Sequence, residues 1–219
     1  MLRLEKVCYR YKAGTRDVLR DVSAEMEAGK LHAIVGPSGS GKTTLLSIMA
    51  GMDRPLEGAI YVGEESLARM DLDRYRREKV SMVFQAFHLF PLLTAMENVC
   101  YPMEVLGAVR GEAVERARVL LESVGIDNDK YRRYPANLSG GEQQRVAIAR
   151  ALASGAKLIL ADEPTGNLDS ANGNAVMDIL RHLAHTRDYC VVIVTHNPEI
   201  AESADYVYKM KDGLLKEQK

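Results

Sequence analysis

A chain of 219 residues with 29 basic and 30 acidic side chains carries a formal charge of -1, a balance that speaks against a surface built for nucleic acid. Its length suits one domain with a substantial core. Cys8, Cys100 and Cys190 stand far apart, with no CxxC or Cys/His cluster, so metal ligation by thiolates is not expected and a reducing cytosol is.

The amino terminus, MLRLEKVCYRYKAG, lacks the apolar run of a signal peptide. Residues 2–9 and 19–27 alternate as strands, the second with Val22, Ala24 and Met26 on one face. KLHAIV (30–35), VSMVF (80–84), KLILA (157–161) and CVVIVT (190–195) are short apolar runs of the kind buried on both faces of a parallel sheet. Helical stretches alternate with them at 42–50, 111–124, 140–153 and 173–185, and this alternation points to an α/β layer fold. Between residues 87 and 135 the chain turns to helices and proline-marked loops, which predicts a helical subdomain set into the α/β core. The richest apolar region, from Val80 onward, is interrupted by Gln85, His88 and Pro91 and does not form a membrane span. Residues from 205 onward read as a closing hairpin.

LSGGEQQRVAIARAL, from Leu138, combines good helix material with an awkward start. Ser139 and Glu142 make a capping box, and Val146, Ile148, Ala149, Leu152 and Ala153 supply an apolar face. Two glycines in the first turn each cost roughly 1 kcal/mol against alanine. Either the entry turn merely tolerates them, or a phosphate approaches bare N–H groups at the helix start.

The phosphate has an obvious seat. GPSGSGKTT (Gly36, Pro37, Ser38, Gly39, Ser40, Gly41, Lys42, Thr43, Thr44) matches G-x-x-x-x-G-K-[ST] between a strand and a helix. Its backbone N–H groups converge on phosphate oxygens, Lys42 reaches the β- and γ-phosphates, and the Thr43 hydroxyl is placed for Mg²⁺. LILADEPTGNLD ends an apolar strand in Asp162, placed to hold magnesium through water, followed by Glu163, a candidate general base. His196 and Gln85 close two other strands; alone each is an ordinary strand-end residue, and within this set each becomes a nucleotide contact.

In this order the motifs resemble the ATP-binding cassette (ABC) family over nearly the whole chain. The resemblance implies a P-loop NTPase core with a mostly parallel sheet, an antiparallel β subdomain and a helical subdomain inserted near 87–150. It makes the chain one ATP-binding domain spanning 1–219. Tyr11 is similar to the adenine-stacking aromatic, although Tyr9 would share its strand face. Gly36 to Thr43 is the Walker A loop and Gln85 the Q-loop glutamine that senses Mg²⁺ and the membrane partner. Ser139, Gly140, Gly141 and Glu142 belong to the signature, which completes the ATP site of a second subunit. Asp162, Glu163, Asp169 and His196 correspond to the Walker B aspartate, catalytic glutamate, D-loop aspartate and switch histidine. ATP and Mg²⁺ are the implied cofactors, and a homodimer formed around two ATP molecules is the implied working unit.

AGMDRPLEGAIYVGEESL, VFQAFHLFPLLTAMENVCYPMEVLG and ILADEPTGNLDS resemble the ATPases of lipoprotein release, macrolide efflux and antimicrobial-peptide resistance. That implies a permease of the cell-division-protein type, a cytoplasmic position on the inner face of the membrane, and export. A departure lies in SANGN (170–174), where such ATPases commonly carry a threonine before the glycine. Residues 87–93 suit either core packing or docking of the permease's coupling helix. The alternatives are a mechanotransmission ATPase that controls cell-wall hydrolases and a DNA-repair cassette. The latter normally inserts a long coiled coil between the P-loop and the signature, whereas residues 43–138 carry no sustained heptads.

Overall fold

The computed structural model describes residues 1–12 and 14–219. In chain order the elements are strands β1 (Leu2–Tyr9), β2 (Leu19–Met26) and β3 (Leu31–Val35), helix α1 (Lys42–Met49), β4 (Glu57–Val62), β5 (Glu65–Ser66), α2 (Leu72–Glu78) and β6 (Val80–Phe84). They continue as α3 (Ala95–Val105), α4 (Arg110–Ser123), α5 (Gly140–Ala153), β7 (Leu158–Asp162), α6 (Ser170–Arg187), β8 (Cys190–Thr195), α7 (Pro198–Glu202), β9 (Tyr206–Lys211) and β10 (Leu214–Glu217).

Two sheets organise the molecule. The larger has the order β10-β9-β3-β8-β7-β6, and all its pairs are parallel except the β9–β10 hairpin. The smaller, β2-β1-β4-β5, is antiparallel. The apolar runs become the central strands for the expected reason: every residue of β8 is buried, as are the first four of β3 and of β7. Burying each such Val, Leu or Ile contributes about 1.5–3 kcal/mol relative to exposure. Opposite faces of this sheet then feed two cores. Leu31, Ala33, Ile159 and Ile193 point to the side covered by α3, α4, α5 and α6; Ile34, Leu158, Leu160 and Val192 point to α1 and the antiparallel sheet.

The sheet positions the chemistry by its direction. β3, β6, β7 and β8 run parallel, so their carboxyl ends, followed by Gly36, Gln85, Glu163 and His196, emerge on one edge. Ligands of open α/β sheets bind at that edge. Several elements differ from the sequence expectation, β5 and α7 among them. β4 alternates poorly, with Ile60 its only fully buried residue, and α2 is a short helix anchored by buried Tyr75. α6 begins at Ser170 rather than near 173, because the Asp169 side chain accepts the Asn172 N–H and caps the helix earlier.

Candidate functional site

β3 delivers the chain into the glycine-rich loop, and the β9–β10 hairpin supports that loop from behind. A Cβ at Gly36 would overlap the Met210 carbonyl, so this position admits only glycine. The Ser40 carbonyl accepts the Gly213 N–H at 3.1 Å. Lys42, nearly buried, donates from Nζ to Gly36 O (2.8 Å) and Pro37 O (3.0 Å), so its charge sits inside the loop that it closes. Thr43 Oγ1 donates to Asp162 Oδ1 at 3.4 Å and joins the start of α1 to the end of β7.

The acidic pair occupies two different environments. Burial pushes the Asp162 pKa above the ordinary aspartate value, and the adjacent Glu163 charge adds to the rise against the Thr43 bond and Lys42. Glu163 lies just past β7 with φ 46°, a left-handed conformation that a non-glycine residue seldom adopts. Its N–H donates to Val194 O at 2.9 Å, and its Oε1 lies 2.8 Å from His196 Nδ1. The His196 side chain is 74 % exposed against 17 % for Glu163. An open imidazole therefore holds a sheltered carboxylate at the mouth of the site. Gln85 is fixed by a reciprocal pair: its Nε2 donates to Asn167 Oδ1 (3.1 Å), and Asn167 Nδ2 donates to Gln85 O (3.0 Å).

These groups line one open cleft of about 560 Å³ with Tyr11, Val18, Ser38, Gly39, Gly41, Lys42, Thr43, Thr44, Gln85, Asp162, Glu163, Val194 and His196. Gly36, Pro37 and Ser40 shape the loop without lining it. Tyr11 lies beyond the end of β1 rather than on its face. Its hydroxyl is 2.8 Å from Thr44 Oγ1, and its ring stands edge-on to Tyr9 with centroids 5.1 Å apart. Tyr9 is buried, and its bond to Asp53, together with burial, raises the phenol to about 12. Of the two tyrosines, Tyr11 is therefore the one that faces the cleft.

Ser139, Gly140, Gly141, Glu142 and Asp169 do not line this cleft. The capping box is formed: Ser139 N–H donates to Glu142 Oε2 (2.8 Å) and Glu142 N–H to Ser139 Oγ (3.2 Å). Lys130 Nζ fastens the other Glu142 oxygen at 3.1 Å. Among the described residues no acceptor meets the Gly140 or Gly141 N–H; Gly140 is partly exposed, whereas Gly141 is buried. Asp169 caps α6. The sequence reading missed Asn167, and it took Gln144 only as the last residue of the signature that begins at Leu138. Gln144, fully buried, donates to Pro164 O (2.7 Å) and Phe84 O (3.3 Å) and so ties α5 to two of the strand ends that carry the site. Only the run of polar residues after the two glycines hinted at it.

A family model described as ABC transporter matches residues 19–166. The chain is 39 % identical to the uncharacterized ABC transporter ATP-binding protein YclH of Bacillus subtilis, across 97 % of this chain and 94 % of that protein. It is 44 % identical to the macrolide export ATP-binding/permease protein MacB of Shigella flexneri, across 98 % of this chain but 34 % of MacB, and so spans about a third of the length of that relative. A dimeric structure of MJ0796, a bacterial ABC transporter cassette, superposes with a TM-score of 0.90 at 40 % identity, covering 100 % of this chain and 98 % of that one. A second MJ0796 dimer, in a post-hydrolysis state bound to ADP and Pi, superposes equally well. With that family model covering most of the chain, and with relatives and solved cassettes alike over nearly its whole length, the chain belongs to the ABC transporter family as an ATP-binding and ATP-hydrolysing cassette.

Proposed function

We propose that two copies of this chain close head to tail around two Mg-ATP, each lending the first turn of α5 to the other's cleft. The observation that carries this reading is the division of labour within one copy. The cleft holds the lysine, the hydroxyls, the carboxylates and the histidine, while the unpaired N–H groups of α5 lie outside it. A helix start with free donors is a seat for anions. The MJ0796 relatives are dimers, one of them with ADP and Pi, which supports the arrangement.

Within each cleft the Thr43 hydroxyl, Asp162 through water and Gln85 would hold Mg²⁺. One carboxylate beside a hydroxyl and phosphate oxygens suits this ion, which keeps several waters and prefers oxygen donors. When bound, the ion neutralises charge on the phosphates. Lys42 turns from its own loop carbonyls to the β- and γ-phosphates. Tyr11 stacks on adenine, Glu163 accepts a proton from the attacking water, and His196 keeps Glu163 aimed and touches the γ-phosphate. ATP binds the closed pair more tightly than ADP does, so hydrolysis reopens it.

The same reading places the chain on the cytoplasmic face of a membrane, driving a permease of the cell-division-protein type that exports a peptide, lipoprotein or antibiotic. The MacB relative joins an ATP-binding part to a permease. No helix among the described residues is long and apolar enough to cross a membrane. A groove of about 350 Å³ between β6, α3 and the end of α5 is lined by Met52, Phe90, Tyr101, Val105 and Leu106 and rimmed by Arg76, Arg77 and Arg150. Beside it Leu89 packs on the core, while Leu92 is 86 % exposed, which supports core packing for one part of the 87–93 segment and leaves the other open to a docking partner.

Mixing two inactive variants tests the pairing. Lys42→Ala spoils a copy's own cleft and Ser139→Ala the partner's. A one-to-one mixture should regain up to about a quarter of wild-type sites, since only one of the two sites in a mixed dimer is intact and half the dimers are mixed. A mixture no more active than its components overturns the shared pocket.

A further inference from the structure

The two glycines at the start of α5 have different neighbours. A Cβ on Gly140 would meet Leu168 Cδ2 at 3.5 Å and Phe87 Cζ at 3.7 Å, which is ordinary contact. A Cβ on Gly141 would overlap Oδ1 and Cγ of Asn172 and come within 2.9 Å of its Cβ. Within the copy itself, then, residue 140 has room for a side chain and residue 141 has none. The obstruction at 141 is one side chain from α6, not a phosphate.

Asn172 also holds Asp169. Its backbone N–H donates to Asp169 Oδ1 at 2.9 Å and its Nδ2 to Asp169 Oδ2 at 2.8 Å, so both carboxylate oxygens are taken by one residue. With its amide nitrogen committed to Asp169, the remaining amide oxygen is the atom turned toward Gly141. Asn172 is the position at which the chain departs from the threonine common in similar ATPases.

We infer that Asn172 is a positioning residue that wedges the start of α5 against the Asp169 turn, so that Ser139, Gly140 and Asp169 are presented to the second copy as one rigid unit. Gly141 is glycine to admit that wedge. This rests on the two-copy reading of the pocket. Asn172 touches no nucleotide; it acts through the placement of groups that face the partner.

The test uses the full chain with Glu163→Gln throughout, so that ATP is retained, and measures the ATP-dependent dimer by sedimentation, with thermal melting to show that each variant folds. Gly141→Ala should weaken the dimer by about tenfold to a hundredfold, the effect of forcing a methyl group into filled space. Adding Asn172→Gly, which clears the overlapping atoms, should restore dimerisation of Gly141→Ala to within about threefold of Asn172→Gly alone. Asn172→Gly should not rescue Gly140→Ala, whose open side faces the partner. A melting temperature for Gly141→Ala close to that of the reference separates loss of the dimer from loss of the fold. If the reference dimerises while the double variant stays as weak as Gly141→Ala, or if Gly141→Ala dimerises normally, the wedge is refuted alone. If the reference itself fails to dimerise with ATP, the two-copy reading falls and takes the wedge with it.

Discussion

Replacing Glu163 with glutamine separates chemistry from binding more cleanly than any other single change in this site. The two side chains have equal length, and the amide oxygen of glutamine still reaches His196 Nδ1 across the 2.8 Å now spanned by the carboxylate. Both residues carry the same penalty at φ 46°, and the N–H to Val194 O is untouched. Folding stability should therefore move by no more than about 0.5 kcal/mol, or within about 2 °C of melting temperature for a chain of this size. What disappears is a proton acceptor. General-base assistance is worth about 100- to 10,000-fold, roughly 3–5 kcal/mol of barrier. Phosphate release at saturating ATP should fall by that factor, while ATP affinity, measured by equilibrium binding, stays within about threefold. Turnover within tenfold of wild type would remove Glu163 from proton transfer. A loss of turnover matched by a loss of ATP binding would mean that the carboxylate holds nucleotide rather than activating water.

Asn98 and the acidic helix caps give two further expectations. Asn98 is fully buried, accepts the Phe90 N–H at 2.8 Å and donates to Phe90, Leu93 and Thr94 carbonyls; Asn98→Ala should cost about 3 kcal/mol by stranding those groups and speed amide exchange across 90–94, and unchanged exchange there would refute its role as the loop's anchor. At Glu142, burial is outweighed by the Ser139 N–H and Lys130, and the carboxyl is held below its ordinary value; the Thr94 N–H does the same for Glu97. A depressed carboxylate contributes stability that is present above the ordinary glutamate pKa of about 4.3 and is lost as pH falls through the folded value. The denaturation midpoint of Glu142→Gln should thus trail wild type most at neutral pH and converge on it below about pH 4; a gap independent of pH would refute the capping argument.

The parts legible in the sequence are those written in periodicity and short spacing. KLHAIV and CVVIVT announced buried parallel strands, GPSGSGKTT fixed the loop between strand and helix, and Ser139 with Glu142 announced a cap that the structure forms. The polar residues that connect distant loops were not legible. Gln144 and Asn167 bond to backbone whose proximity exists only after folding, and a single amide leaves no repeat to detect. Tyr9 and Tyr11 show the same limit. Two-residue alternation puts both on one strand face, but β1 ends at Tyr9 and the chain turns away, burying one ring and exposing the other. α2 escaped because a single buried tyrosine does not make an apolar stripe.

Arg150, in the last turn of α5, donates through its guanidinium to Phe87 O at 3.1 Å and to His88 O. Phe87 and His88 both have positive φ, 60° and 49°, so the backbone they form is a stiff knuckle rather than a slack tether. From Arg150 back to Ser139 the helix extends roughly 16 Å, at 1.5 Å rise per residue. One unbroken helix therefore joins the backbone held by Arg150, at the surface beside β6, to the capped serine at its opposite end.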